Sequence, residues 1–222
     1  MMEIDFISSL HKSTKRNYLA RVNDEDYSKD VAANLAKKWG YHYWDGSRKI
    51  NYGGYKYIKG RWTNVIKKLC KFYNLKDNAK ILDVGCGKGF FLKDLKDYNN
   101  TFKVYGVDIS KYAIKNAHPS IKSSIKLSNA NKLKWKKNYF DLVVSFNTLH
   151  NLHNYDLFDS LKELERVGKN KYLVVESYRN EKEKMNLLYW QVTCEAFCTP
   201  KEWKWWFKRA KYNGDYSFIY FK

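Results

Sequence analysis

One short segment decides what this chain can fold into: Ile81-Leu82-Asp83-Val84-Gly85-Cys86-Gly87-Lys88-Gly89. The apolar run Lys80–Val84 reads as a buried strand, and Phe90–Tyr98 reads as the helix that follows. Between them, glycine stands at every second position. Glycines in that place let a backbone turn tightly and come within contact distance of a ligand. The helix start then offers free N–H groups to a polar or anionic group. A second strand, over 102–107, ends at Asp108, a carboxylate placed to accept both hydroxyls of a ribose. The spacing differs from the dinucleotide pattern Gly-x-Gly-x-x-Gly. It also lacks the Gly-Lys-Ser/Thr ending of a phosphate-binding loop, so NAD and ATP are disfavoured.

The rest of the chain alternates in the same manner. Helices are predicted over 28–39 and 61–73, the second with Trp62, Val65, Ile66, Leu69 and Tyr73 on one face. A helix capped by Ser110 stops before Pro119, and a short strand covers 124–127. Phe140–Phe146 is a strong strand, followed by a helix over 155–167 that stops at Gly168. A strand over 171–176, a helix around Met185–Val192, a Trp-rich helix from Pro200 and a last strand over 216–221 complete the order. Repeated strand–helix units predict an α/β fold of Rossmann-like kind: a mostly parallel sheet of six or seven strands flanked by helices. Ahead of it, residues 41–57 are rich in aromatics and glycine without a clear period and read as an ordered loop or lid. Residues 1–60 are therefore taken as an N-terminal helical and aromatic extension, and 61–222 as the main domain. The polar start, including Lys15 and Arg16, reads as partly mobile.

Composition narrows the partners. In 222 residues there are 42 Lys+Arg against 23 Asp+Glu, a formal net charge of +19. Such a surplus points to nucleic acid or an anionic surface. Yet 35 of the basic residues are Lys and only 7 are Arg, the residue that reads phosphates and guanines bidentately. A solvated Lys-rich surface is the simpler reading. There is no leader-like apolar stretch at the start and no run long enough to span a membrane. Four cysteines (Cys70, Cys86, Cys194, Cys198) make no disulfide framework in a chain of this length, and a reducing cytoplasm is expected.

The motifs together resemble the class I S-adenosylmethionine-dependent methyltransferases, from about Arg61 to the end of the chain. Leu82 to Gly89 matches that family's first motif, and Gly106-Val107-Asp108-Ile109-Ser110 its second. Residues 139–150 match its fourth-strand motif, and 164–167 the helix after it. The resemblance implies S-adenosylmethionine as cofactor and S-adenosylhomocysteine as product. By the same resemblance, Asp83, Gly85, Cys86, Gly87 and Gly89 cradle the methionine part, Asp108 holds the ribose and Ile109 packs on adenine. Asn129 and Ala130 flank the adenine edge, and Asn147 lines the passage to the methyl group. Two departures stand out. An acid is frequent where Asn129 stands. The family also closes with two strands after its last helix, whereas only 216–221 is evident here; residues 191–197 are the alternative source.

Methyl transfer from a sulfonium needs alignment of an acceptor and exclusion of water; an alcohol or ammonium acceptor also needs a base. Candidates cluster at the ends of the fourth and fifth strands, where ligands gather in such sheets. His150 is the first candidate for base or acceptor contact, with His153, Glu176 and Tyr178 beside it. The His150–His153 pair could also recruit a metal, but no third ligand is evident and none is expected. Tyr55 in the lid suits a sulfonium through its ring face. Arg61 and Arg48 could meet the cofactor carboxylate or a phosphorylated acceptor. Arg48, Arg61 and Arg179 are expected to flank the pocket.

The leading expectation is methyl transfer to a small O- or N-linked acceptor, of anionic character, with a sugar or cell-envelope precursor as the favoured subclass. An RNA or protein methyltransferase is the alternative. Nucleic acid is disfavoured because Asn147-Thr148-Leu149-His150 stands where adenine-type enzymes carry Asn/Asp-Pro-Pro-aromatic, and no Pro-Cys pair exists. A non-catalytic S-adenosylmethionine-binding protein is the third reading.

Overall fold

The structure is a computed structural model and describes residues 1–10 and 17–222. Lys15 and Arg16 lie outside the described residues. Six strands form one sheet: β1 (Lys80–Val84), β2 (Lys103–Asp108), β3 (Ile125–Leu127), β4 (Phe140–Phe146), β5 (Gly168–Glu176) and β6 (Asp215–Ile219). Their order is β3-β2-β1-β4-β5-β6, and every pairing is parallel. The helices are α1 (Tyr18–Val22), α2 (Lys29–Ala36), α3 (Tyr41–Trp44), α4 (Thr63–Phe72), α5 (Phe90–Tyr98), α6 (Lys111–Lys115), α7 (Asn154–Val167), α8 (Glu181–Trp190) and α9 (Pro200–Arg209). The chain leaves β1 toward β2 and β3, then crosses back to β4 on the other side of β1. That reversal opens a crevice at the carboxyl ends of β1 and β4, where ligands bind in such sheets.

Period-2 alternation sends each strand's apolar residues to both faces. Ile81, Leu142, Val144 and Val174 pack with α4 and α5 through Ile66, Leu69 and Leu95. Leu82, Val143, Leu173 and Val175 pack on the other face with α7 and α9 through Leu161, Trp203 and Phe207. A third, separate cluster joins α2 to Tyr43, Trp44 and Ile50, and reaches Ala113 of α6 and Val192. This cluster fixes the N-terminal extension over the open end of the sheet.

The sheet has six strands. Residues 191–197 are not a strand; they cross beneath the end of β4, where the N–H groups of Glu195 and Ala196 both donate to the His150 carbonyl, each at 2.9 Å. The free edge of β6 is covered by the N-terminal segment, with Ile4 N–H donating to Tyr216 O at 2.8 Å and Tyr216 N–H to Met2 O at 3.0 Å. Strand β5 starts three residues earlier than the pattern indicated. Gly168 is extended (φ −104°), so α7 runs straight into the strand. The three added residues, Gly168, Lys169 and Asn170, carry no apolar side chain, so a hydropathy pattern misses them; Lys171 beside them is buried with its Nζ 3.1 Å from Glu165. Among the described residues, no helix is long and apolar enough to cross a membrane.

Helix α9 is held by a capping box, in which Thr199 and Glu202 satisfy each other's backbone N–H groups. It buries Trp203 completely, and the indole N–H donates to the Glu176 carbonyl at 2.9 Å. Trp206 is half-buried and Trp205 is 53% exposed. Trp203→Ala should therefore cost about 3–5 kcal/mol in urea unfolding, while Trp205→Ala should cost below about 1 kcal/mol. Equal costs would contradict this placement of the helix.

Candidate active site

At the end of β1 the backbone turns through three left-handed glycines: Gly85 (φ 81°), Gly87 (φ 55°) and Gly89 (φ 75°). Space forbids side chains there as well. A Cβ on Gly85 would lie 2.1 Å from Thr148 Oγ1, and one on Gly87 would lie 2.6 Å from the Trp44 ring. Gly89 serves packing instead: it abuts Ile121 and Ile125, outside the cavity lining.

Asp108, at the end of β2, ties down this turn. Its carboxylate accepts from Gly87 N–H and from Ser110 N–H, each at 2.7 Å. Burial pushes its pKa up, and the backbone N–H groups pull against that rise. Asp83 is buried at the bottom of the same cavity, and its Oδ1 has no hydrogen-bond partner. Burial, with the Asp108 charge added, holds Asp83 well above the ordinary carboxylate range. A buried acceptor in this condition calls for a donor, above all a cationic one, from a ligand.

The roof comes from the N-terminal extension. Trp44 lies against Gly87, its indole N–H bonded to Ser110 Oγ at 2.9 Å. Tyr52 stacks on Trp44 (5.6 Å, 9°), and Tyr55 stacks on Phe90 (5.0 Å, 19°). A buried ion pair latches roof to floor. Lys88, inside the glycine loop, reaches both carboxylate oxygens of Asp45 at 2.7 Å and the Tyr55 carbonyl at 2.9 Å. Asp45 also accepts from Tyr112 OH (2.9 Å) and Tyr55 N–H (3.1 Å). The cavity beneath this roof has about 990 Å³ of atom-free space, open solvent at its mouth included.

Asp83, Gly85, Cys86, Gly87, Asp108, Ile109, Ala130, Asn147 and Tyr55 all line this cavity. Asn129 does not: it is exposed, and Ser128 takes the lining position beside Ala130. Arg61 lies in a second, polar chamber. That chamber shares a wall with the first, formed by Tyr43, Tyr52, Asn147 and Asn151. Asn147 sits at φ 53°, and the side-chain oxygens of both asparagines are buried without partners. Unsatisfied amide oxygens at such a wall stand ready for N–H or O–H groups of a ligand.

The second chamber holds His150 and Glu176. His150 is fully buried, and burial pushes its pKa down to about 3, so it is neutral. Its Nδ1 accepts from Glu176 N–H at 3.3 Å, which leaves the proton on Nε2, 3.4 Å from Glu176 Oε2. With Nδ1 taking the Glu176 N–H and burial holding its pKa low, this histidine is a poor general base, and its Nε2 lies beside the Glu176 carboxylate. Gln191 donates to the other oxygen of the same carboxylate. His153 points to solvent beside Tyr155 and Glu195 and does not join His150. No group of metal-ligating side chains forms among the described residues. Tyr178 packs against the core outside both cavities, and Arg179 pairs with Glu183 over the Tyr220 ring.

Lys88, Asp45, Thr148, Asn151, Gln191 and Arg21 were not singled out from the sequence. Only Lys88 carried a local signal, its position within the glycine loop. The others act through partners distant in the chain.

The buried neutral His150 makes stability depend on pH. Its folded pKa lies below the ordinary 6.5, so between about pH 6.5 and 5 the unfolded chain binds the extra proton and stability falls as pH falls. Because the buried Asp83 and Asp108 carboxyls titrate in the opposite sense, the imidazole is read as a difference: over that interval the wild type should lose about 1.5 kcal/mol more than His150→Gln in urea unfolding. An equal loss in both would contradict the burial of a neutral imidazole.

A family model described as a methyltransferase domain matches residues 75–211, well over half of the chain. An uncharacterized protein of Methanocaldococcus jannaschii is 38% identical over 103 residues, which cover 46% of this chain and 41% of that protein. The mouse mitochondrial protein named arginine-hydroxylase NDUFAF5 is 34% identical over 95 residues, covering 42% of this chain and 27% of its own. The chain spans less than half the length of either curated relative. Among solved structures, the YcgJ protein of Bacillus subtilis aligns with a TM-score of 0.54 at 17% identity, over 65% of this chain and 66% of that one. That likeness is one of fold, and it agrees with the parallel sheet and its crevice. With the glycine turn and the match over residues 75–211 in hand, the chain belongs to the methyltransferase-domain family.

Proposed function

We propose that this chain binds S-adenosylmethionine in the aromatic-roofed cavity and passes its methyl group to a small O- or N-linked acceptor in the adjoining chamber. The observation that carries the reading is the shared wall: Tyr43, Tyr52, Asn147 and Asn151 line both spaces. A donor bound on one side would meet an acceptor on the other across that wall.

The residues present fit this cofactor. Asp83 offers a buried oxygen without a partner to the ammonium group of the methionine part. The bare backbone at Gly85 and Gly87 admits close approach, and Asp108 offers lone pairs to the ribose hydroxyls. Ile109, 42% exposed at the open end, would pack on adenine beside Ala130. Tyr43, Tyr52 and Tyr55 would place ring faces around a sulfonium. When bound, S-adenosylmethionine supplies a methyl group already activated on a positive sulfur.

The chain's own residues do the remaining work. Glu176, steered by His150 and Gln191, takes a proton from the acceptor as its oxygen or nitrogen attacks. Asn147 and Asn151 accept hydrogen bonds from the acceptor and set its line of approach. The roof excludes water, which would solvate the attacking lone pair.

Asp108→Ala should weaken S-adenosylhomocysteine binding by about tenfold or more, through lost ribose contacts and a loosened turn. Glu176→Gln should leave that affinity within about twofold and lower kcat by about 10²–10⁴. Calorimetry and product release measure the two. Unchanged turnover in Glu176→Gln would remove it as the base, and unchanged affinity in Asp108→Ala would reject the cavity as the cofactor site.

A further inference from the structure

The second chamber has an unusual charge make-up for this chain. Lysine outnumbers arginine 35 to 7 overall, yet the described residues lining the chamber include Arg21, Arg48 and Arg61 and no lysine. Each comes from a different stretch of the chain: Arg21 from α1, Arg48 from the loop after α3, and Arg61 from the lead into α4. Local sequence does not force them together; the fold converges them on one space.

The three guanidinium groups are held without being neutralised. Arg21 donates to the carbonyls of Lys49 (3.1 Å) and Ile50 (2.6 Å), and Arg48 to the carbonyl of Asn51 (2.6 Å). Both also lie over the Trp190 ring, at 4.9 and 5.5 Å from its centroid. Among the described residues, none of the three forms an ion pair with a carboxylate, whereas Arg166 and Arg179 pair with Glu163 and Glu183. Burial and the charge of Arg48 push the Arg21 guanidinium down to about 10, a sign of like charges kept close in partly dry surroundings. Among the described residues lining the chamber, Glu176 is the one carboxylate and His150 is neutral, so that described lining carries more positive than negative charge. Each guanidinium keeps unused N–H donors in a planar fork.

We infer that the acceptor carries a phosphoryl group, and that Arg21, Arg48 and Arg61 bind it while Glu176 faces its reacting hydroxyl or amine. A phosphate monoester matches both the charge excess and the number of donors, with about −1.5 to −2 charge and three strong acceptor oxygens. A single carboxylate would satisfy one guanidinium and leave the others repelling. Arginine in place of the abundant lysine fits the same demand, since its fork meets phosphate bidentately. The inference rests on the methyl-transfer reading for the role of the phosphoryl compound, although anion binding by the chamber stands by itself.

The test uses the full chain with inorganic phosphate, pyrophosphate and succinate as probes, each titrated calorimetrically at low ionic strength, and S-adenosylhomocysteine titrated separately. Pyrophosphate or phosphate should bind saturably and succinate more weakly. Arg48→Gln and Arg21→Gln should each weaken the phosphate compounds by about tenfold or more, the effect of a charged hydrogen bond, with S-adenosylhomocysteine affinity kept within about twofold. Retained S-adenosylhomocysteine affinity also shows that each variant is folded. No saturable phosphate binding, equal binding by the variants, or a preference for succinate would overturn the inference. So would an equal loss of S-adenosylhomocysteine, which would assign the arginines to the cofactor. Phosphate binding without any S-adenosylhomocysteine binding would instead reject the methyl-donor reading and leave the anion site standing.

Discussion

Everything at the open end of the sheet depends on two hydrogen bonds to one carboxylate. Asp108 grips the N–H of Gly87 and of Ser110, and so welds the turn after β1 to the turn after β2. Those turns set where the cavity floor lies. They also fix α5 and α6, because Gly89 leads into one and Ser110 caps the other. A carboxylate receiving charge-assisted bonds from rigid backbone holds its position more firmly than one paired to a flexible lysine. The positive φ of Gly85 and Gly87 follows from this constraint, as does the closeness of Trp44, which only a glycine at 87 allows.

The extension is part of the site. Its aromatic residues cluster with Ala113, Tyr112 and Val192 of the main domain, its first residues bond β6, and the Lys88–Asp45 pair, supported by Tyr112, ties the roof to the glycine loop. A buried pair contributes little net stability compared with apolar packing, but removing one partner leaves an uncompensated charge. The latch thus specifies where the roof sits. The same placement brings Arg48 and Arg61 beside Asn147 and Glu176, so one docking event closes the first cavity and builds the second.

The sheet was legible in the sequence because its signals are local. The strand Phe140–Phe146 and the glycines at 85, 87 and 89 announce themselves through hydropathy and conformational need. Strand β5 was legible from Lys171 onward, because Gly168, Lys169 and Asn170 carry no apolar side chain to announce its start. The first cavity was read mostly from motif positions, and of the residues assigned to it Asn129, Gly89 and Arg61 lie outside its lining. The acceptor side was less legible. His150 stands at the expected strand end, but burial keeps it neutral and the Glu176 N–H, twenty-six residues away, sets its tautomer. Arg21 gave no signal, and Arg179 is drawn away by Glu183, four residues on in the first turn of α8. Wherever a role depends on a partner remote in the chain, residue type and spacing fall silent.

The central claim is that two chambers meet at one wall and that a methyl group crosses there. The most direct test is the position of the thioether sulfur in an experimentally determined complex with S-adenosylhomocysteine. The sulfur is expected at the wall formed by Asn147, Asn151, Tyr43 and Tyr52, facing the arginine chamber, with the ribose on Asp108. A sulfur turned toward the exposed end at Ile109, or a cavity left without the ligand at saturating concentration, would contradict the account.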